Sequence, residues 1–114
     1  YPRCNATVAW NLQPFNIQRY APGEGFLKWH CERSMANQPP GARHLVFMMY
    51  CNTIDGEGGT EFYHQDYICN SEKGKIVIFP SDWTFTHRGE SCTKEKIILT
   101  GWFNFVHDYS VLTT

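Results

Sequence analysis

Apolar residues along the chain come in short runs set off by turn chemistry. "FNIQRYA" (15–21) leads into the turn "PGEG", and "FLKWHCE" (26–32) follows it. A polar loop, "RSMANQPPGA", opens onto "RHLVFMMYCN" (43–52), which is apolar nearly throughout and is predicted to be a buried central strand. "DGEGG" (55–59) is a glycine-dense bend before the strand candidate "TEFYHQDYI" (60–68). After "NSEKG" come "KIVIFP" (75–80), the loop "SDWTFTHRGESCT" and a last long strand, "KEKIILTGWFNFV" (94–106). Seven or eight strands at this spacing, with no helical periodicity of useful length, predict an all-β domain, an antiparallel sandwich or barrel. The first dozen residues are read as irregular, or as the end of a helix lying upstream.

Length adds that 114 residues make one domain, 1–114, with its core at about 15–106 and enough chain to close that core without staples. An aromatic content of 16% with frequent Gly and Pro fits a strand-rich architecture. A net charge of −1 offers no footprint for nucleic acid or an anionic membrane surface. No apolar run is long enough to span a bilayer and no signal-peptide pattern opens the chain, so neither a membrane nor a nucleic-acid partner is expected. The chain begins at Tyr1 rather than Met, and further residues are expected to precede it. Five cysteines (Cys4, Cys31, Cys51, Cys69, Cys92), odd in number and without a C-x-x-C pair, argue against a disulfide framework or a structural zinc knot. They read as small apolar residues of a reducing, cytoplasmic protein, and the Asn5-Ala6-Thr7 sequon as a chance match.

The candidate chemistry starts in "FLKWHCE". On a strand, His30 and Glu32 share a face, so imidazole and carboxylate project side by side. Such a pair is either a wet surface pair or two metal ligands. His64 and Asp66 form a second His-x-acid pair in "YHQDY". His44 and His107 read as solvated or capping residues. Two His and one carboxylate on one face of an octahedron leave three positions open, the arrangement of non-haem Fe(II) oxygenases. His87 is the natural third ligand. It lies 57 positions beyond His30, enough chain to travel round a barrel and return, and only 23 beyond His64, so the His64/Asp66 pair is assigned to a surface strand. Lys96, Ile98, Thr100 and Trp102 then share one face of the last strand. An inward lysine is costly to bury unless an anion neutralises it, and a dicarboxylate between the metal and Lys96 would do so.

Taken in order, "QRYAPGEGFLKWHCE", "RHLVFMMYCN", "EGGTEF", "KGKIVIFPSDWTFTHRG" and "KEKIILTGWF" resemble the Fe(II)/2-oxoglutarate-dependent dioxygenases, specifically their prolyl 4-hydroxylase-like branch. The resemblance runs over about residues 16–106. It implies a double-stranded β-helix, a distorted jelly roll, with helices that usually buttress the outer sheet either missing or upstream. It implies Fe(II), 2-oxoglutarate and O2, with ascorbate as a candidate reductant, and hydroxylation of an unactivated C–H, a prolyl or other protein residue being the candidate substrate.

By the same resemblance, His30, Glu32 and His87 match the iron ligands, and Lys96 the basic residue that pairs with the distal carboxylate of 2-oxoglutarate. Tyr50 matches a tyrosine that joins that carboxylate, Thr60 and Thr100 match positions lining the co-substrate, Tyr20 an iron-proximal tyrosine, and Trp102 an aromatic beneath the site. One position departs: most of the branch has Asp where Glu32 stands, and glutamate is one methylene longer. Two rival readings remain, a non-catalytic cupin-like barrel that binds metal and a small acid, and a purely structural β-sandwich.

Overall fold

The computed structural model describes residues 10–33 and 39–105. Cys4, the Asn5-Ala6-Thr7 sequon, His107 and the middle of the "RSMANQPPGA" loop lie outside the described residues. The described residues form eight strands: β1 (Trp10–Leu12), β2 (Asn16–Tyr20), β3 (Arg43–Tyr50), β4 (Thr60–Phe62), β5 (Tyr67–Cys69), β6 (Ile76–Pro80), β7 (His87–Gly89) and β8 (Lys96–Phe105). The helical content of the described residues is two single turns of 3-10 helix, Pro39–Ala42 and Trp83–Phe85. No helix among them is long and apolar enough to cross a membrane.

Two antiparallel sheets face each other. In the larger, β3 lies between β8 and β6, while β1 and β2 follow one another along the far edge of β8. The smaller has the order β5-β4-β7. Alternation along the strands explains the layering. On β3, Val46, Met48 and Tyr50 point into the gap, where they meet Phe62 and Cys69 from the smaller sheet and Phe79 and Ile98 from the larger. Phe62 and Phe79 pack edge-to-face across the two sheets at 5.0 Å between centroids, the arrangement that the ring quadrupole favours. On the opposite face Phe47 lies over Gly101, where a Cβ would come within 2.4 Å of the ring, so glycine is required for the close approach.

Two elements differ from the sequence pattern, and each difference has a local cause. "FLKWHCE" is not a regular strand. Its backbone meets β7 twice: Gly89 N–H donates to the Phe26 carbonyl (2.8 Å), and His30 and His87 exchange a reciprocal pair (3.0 and 2.9 Å). Between those tie points the chain takes 30 − 26 = 4 steps against 89 − 87 = 2 on β7, so two residues are surplus and the segment bulges. Leu27, Lys28 and Trp29 are exposed as a result.

"TEFYHQDYI" is a hairpin, β4 and β5, closed by the turn 63–66. Asp66, the last turn residue before β5, takes a positive φ of 47°, which aspartate tolerates. The His64/Asp66 pair is therefore on the surface, as expected, but in a turn and not on a strand. Trp10–Leu12, expected to be irregular, forms a short strand against β8. His44, expected to be solvated or capping, is a half-buried residue of β3 beside Phe105.

One hydroxyl joins the two sheets. Tyr50, fully buried at the end of β3, donates to Thr60 Oγ1 on β4 at 2.7 Å, with the Cys69 carbonyl of β5 also in reach at 3.1 Å. Burial pushes the Tyr50 phenol up, so it stays a neutral donor. Tyr50→Phe keeps the ring and strands these acceptors, so urea unfolding should show a loss of about 1–2 kcal/mol. An unchanged midpoint would contradict the bridge.

Candidate active site

The reciprocal backbone pair places His30 and His87 directly opposite one another, with both imidazoles on one side and their centroids 4.4 Å apart. Glu32 follows one bend later, its main chain tied to the Ser81 carbonyl. Its carboxylate turns back so that one oxygen, Oε1, lies 3.2 Å from His30 Nε2 and 3.2 Å from His87 Nε2. The bend after His30 therefore brings His30 and Glu32 together, where strand alternation was expected to do so.

Each ring is fixed from behind. His30 Nδ1 sits 2.9 Å from the Lys28 carbonyl and His87 Nδ1 sits 2.8 Å from the Phe85 carbonyl. A carbonyl only accepts, so both Nδ1 atoms carry hydrogen, and in the neutral rings both Nε2 lone pairs face Glu32. Three electron-rich atoms then converge, all within 4.8 Å of one another. Metal–ligand bonds of about 2.1 Å at right angles put neighbouring donors about 3 Å apart, so the spacing and the donor set both fit one divalent ion.

Burial by itself would disfavour the Glu32 anion, but when the rings are protonated, hydrogen bonds from the His30 and His87 Nε2–H groups outweigh it and hold the carboxyl well below its usual range. For His30, burial works against the charged ring, while Glu32 and the Lys28 carbonyl favour it, and the net shift is upward. The second Glu32 oxygen, Oε2, accepts from Arg43 Nη1 at 3.3 Å.

The cluster stands on the wall of a cavity of about 620 Å³ that opens between the sheets. Val46, Met48, Phe79 and Ile98 supply its apolar lining. Thr60, Thr100, Trp102, Tyr20 and Lys96 also line it. Lys96 is 5% exposed; its ammonium donates to the Gly59 carbonyl at 3.2 Å and has no salt-bridge partner among the described residues. Burial pulls its pKa down, against opposing pulls from Cys92 and Glu90. The Tyr20 hydroxyl donates to Gln18 Oε1 at 2.8 Å, and burial followed by the Glu32 charge pushes its pKa up.

Tyr50 is the exception. Its hydroxyl is committed to Thr60 and Cys69 and does not line the cavity, so it stands behind Thr60, one layer back from the position the resemblance implied. Arg43, Gln18 and Cys31 line the cavity without having been singled out. Arg43 could not be recognised because a basic residue at the start of an apolar strand looks like an ordinary solvated end. Cys31, read as apolar filling, faces the cavity. Cys31, Cys51, Cys69 and Cys92 are all free thiols.

The model of the family described as the 2OG-Fe(II) oxygenase superfamily matches residues 15–104. The chain belongs to that superfamily. Among solved structures, it superposes on the viral collagen prolyl hydroxylase of Paramecium Bursaria Chlorella virus-1, in its 2OG complex, with a TM-score of 0.71 at 24% identity, over 86% of this chain and 62% of that one. A Pseudomonas putida prolyl-4-hydroxylase gives 0.67 at 24% identity, over 82% and 54%. A Trichoplax adhaerens prolyl hydroxylase, solved with a peptide fragment of the hypoxia inducible factor oxygen degradation domain, gives 0.69 at 17% identity, over 99% and 54%. At these identities the likeness establishes the fold, the distorted jelly roll. The chain spans less than two thirds of the length of each of these three relatives. No curated protein matches it in sequence.

A pH dependence follows for protein stripped of divalent metal by a chelator. Glu32 is depressed, so its stabilising contribution is present above its ordinary value of 4.5 and is lost as pH falls. His30 is raised, so its contribution is full below its ordinary 6.5 and is lost as pH rises through the folded value. Calorimetry should then find the highest melting temperature between about pH 5 and 6.5. A curve still climbing at pH 8 would contradict the assignment.

Proposed function

We propose that this chain is the catalytic core of an Fe(II)- and 2-oxoglutarate-dependent dioxygenase that hydroxylates an unactivated C–H bond, with a prolyl residue of a peptide as the substrate. The observation that carries this reading is the single Glu32 oxygen shared by two imidazoles of fixed tautomer, on the wall of a cavity that also holds a buried ammonium. His30, Glu32 and His87 would hold Fe(II). Iron there supplies the redox chemistry by which 2-oxoglutarate and O2 become succinate and CO2 while one oxygen atom enters the C–H bond.

The chain's own residues do the rest. Lys96, short of an anionic partner, suits the distal carboxylate of 2-oxoglutarate, because an anion there offsets the cost of burying its charge. Thr60 and Thr100 line the same cavity, and Tyr50 acts through Thr60 by fixing that hydroxyl. Trp102 bounds the cavity on β8, and Tyr20 bounds it on β2. Val46, Met48, Phe79 and Ile98 keep water out, which strengthens every charge interaction inside. The Nδ1 hydrogen bonds hold both imidazoles ready without rearrangement. A peptide substrate is supported by the relatives, which are prolyl hydroxylases, and by Phe26 and Trp29 at the cavity, where aromatic surface suits a pyrrolidine ring. The four free thiols support a reducing, cytoplasmic setting, in which ascorbate would keep the iron reduced.

The test is succinate release with Fe(II), O2 and proline-containing peptides, together with detection of hydroxyproline by mass. His87→Ala should abolish both. Metal and 2-oxoglutarate binding without turnover on any peptide would favour a non-catalytic binding module instead. A second measurement isolates Lys96. Lys96→Met should raise the 2-oxoglutarate KM roughly a hundredfold through loss of a buried charge pair. The same variant, measured without 2-oxoglutarate, should melt no lower than wild type, since it removes an unpaired buried charge. An equal KM would remove Lys96 from the site.

A further inference from the structure

The two Glu32 oxygens are used differently. Oε1 faces both imidazoles, while Oε2 accepts from Arg43 Nη1 at 3.3 Å. The same Nη1 also reaches the Glu32 main-chain carbonyl at 3.3 Å. The guanidinium is held in turn, lying 3.9 Å over the Trp102 ring. Arg43 sits beside a local irregularity, since the register of β3 on β8 shifts between Arg43 and Leu45.

We propose that Arg43 is a positioning residue that keeps Glu32 a one-oxygen ligand. This rests on the metal-site reading above. A carboxylate with both oxygens free can grip a divalent ion through either one or two of them. Two imidazoles and one oxygen on one face leave three positions open. A chelating 2-oxo acid needs two of them and the reaction needs the third, so a second Glu32 oxygen would close a position the chemistry requires. A charge-assisted hydrogen bond to Oε2 prevents that closure.

The tie to the Glu32 carbonyl anchors the guanidinium on the ligand's own main chain, so the carboxylate cannot swing without losing its bond to Arg43 or pulling the guanidinium off that carbonyl. Stacking on Trp102 holds the guanidinium plane, a role a lysine ammonium cannot fill as well.

The experiment uses Co(II) as the probe metal, with visible absorption for coordination and calorimetry for 2-oxoglutarate. Arg43→Met keeps an apolar stem against Trp102 and removes the donors. Its Co(II) affinity should stay within about threefold of wild type, while 2-oxoglutarate binding to the Co(II) protein weakens roughly tenfold. The visible band should differ from wild type before any 2-oxoglutarate is added. Arg43→Lys, which keeps one donor, should recover part of the affinity. The proposal is overturned if the Met variant matches wild type in both band and affinity. It is equally overturned if Co(II) binding falls as far as 2-oxoglutarate binding, because Arg43 would then hold the carboxylate for the metal and leave its coordination mode alone. Wild-type protein that takes up no Co(II) would instead overturn the metal site itself, and this proposal with it.

Discussion

Two backbone hydrogen bonds, one from each of His30 and His87 to the other, are the constraint on which the site depends. They place the two imidazoles opposite one another whatever surrounds them. A hydrogen-bonded antiparallel pair has its side chains on one face at a fixed separation, so neither ring can retreat without breaking the ladder. The Lys28 and Phe85 carbonyls then select the tautomer, and Glu32 has only one place to turn. Tertiary structure contributes Ser81, whose carbonyl receives the Glu32 and Arg33 N–H groups and stops the main chain beyond the carboxylate from drifting.

The opposite end of the cavity is governed by a different balance. Lys96 opens β8 facing inward, in register with Tyr20 of β2. Its ammonium is buried with one carbonyl acceptor and no carboxylate partner among the described residues. A fold selected only for stability would place an apolar residue there. The departure from that rule, at a lysine on the cavity wall, is the kind of local inconsistency expected of a binding site. Stability is instead supplied by the core behind it, where Tyr50, Phe62 and Phe79 join the sheets.

Much of this was legible in the order of residues. Strands β3, β6 and β8 were visible because each is an apolar run bounded by turn residues, and the site face of β8 because Lys96, Ile98, Thr100 and Trp102 obey strict alternation. The pairing of His30 with His87 was legible through spacing. The bulge at 27–29 was not, since two surplus residues against a partner leave no mark on hydrophobic periodicity. The hairpin at 63–66 was hidden for a similar reason: a tyrosine and a histidine inside an aromatic run mask a turn that Asp66 closes with its backbone alone. Arg43 and the retreat of Tyr50 depend on side-chain contacts between residues distant in sequence, which no local pattern encodes.

The bulge has a further consequence. Leu27, Lys28 and Trp29 hang outside the ladder, between two anchors that do not need them. Only the Lys28 carbonyl, a main-chain atom common to all amino acids, is used by the centre. Exchange of the Leu27 or Lys28 side chain therefore leaves the imidazole behind them in place. Such a segment, at the rim and with Trp29 reaching the cavity, is where homologues sharing one inner chemistry are free to diverge in what they admit.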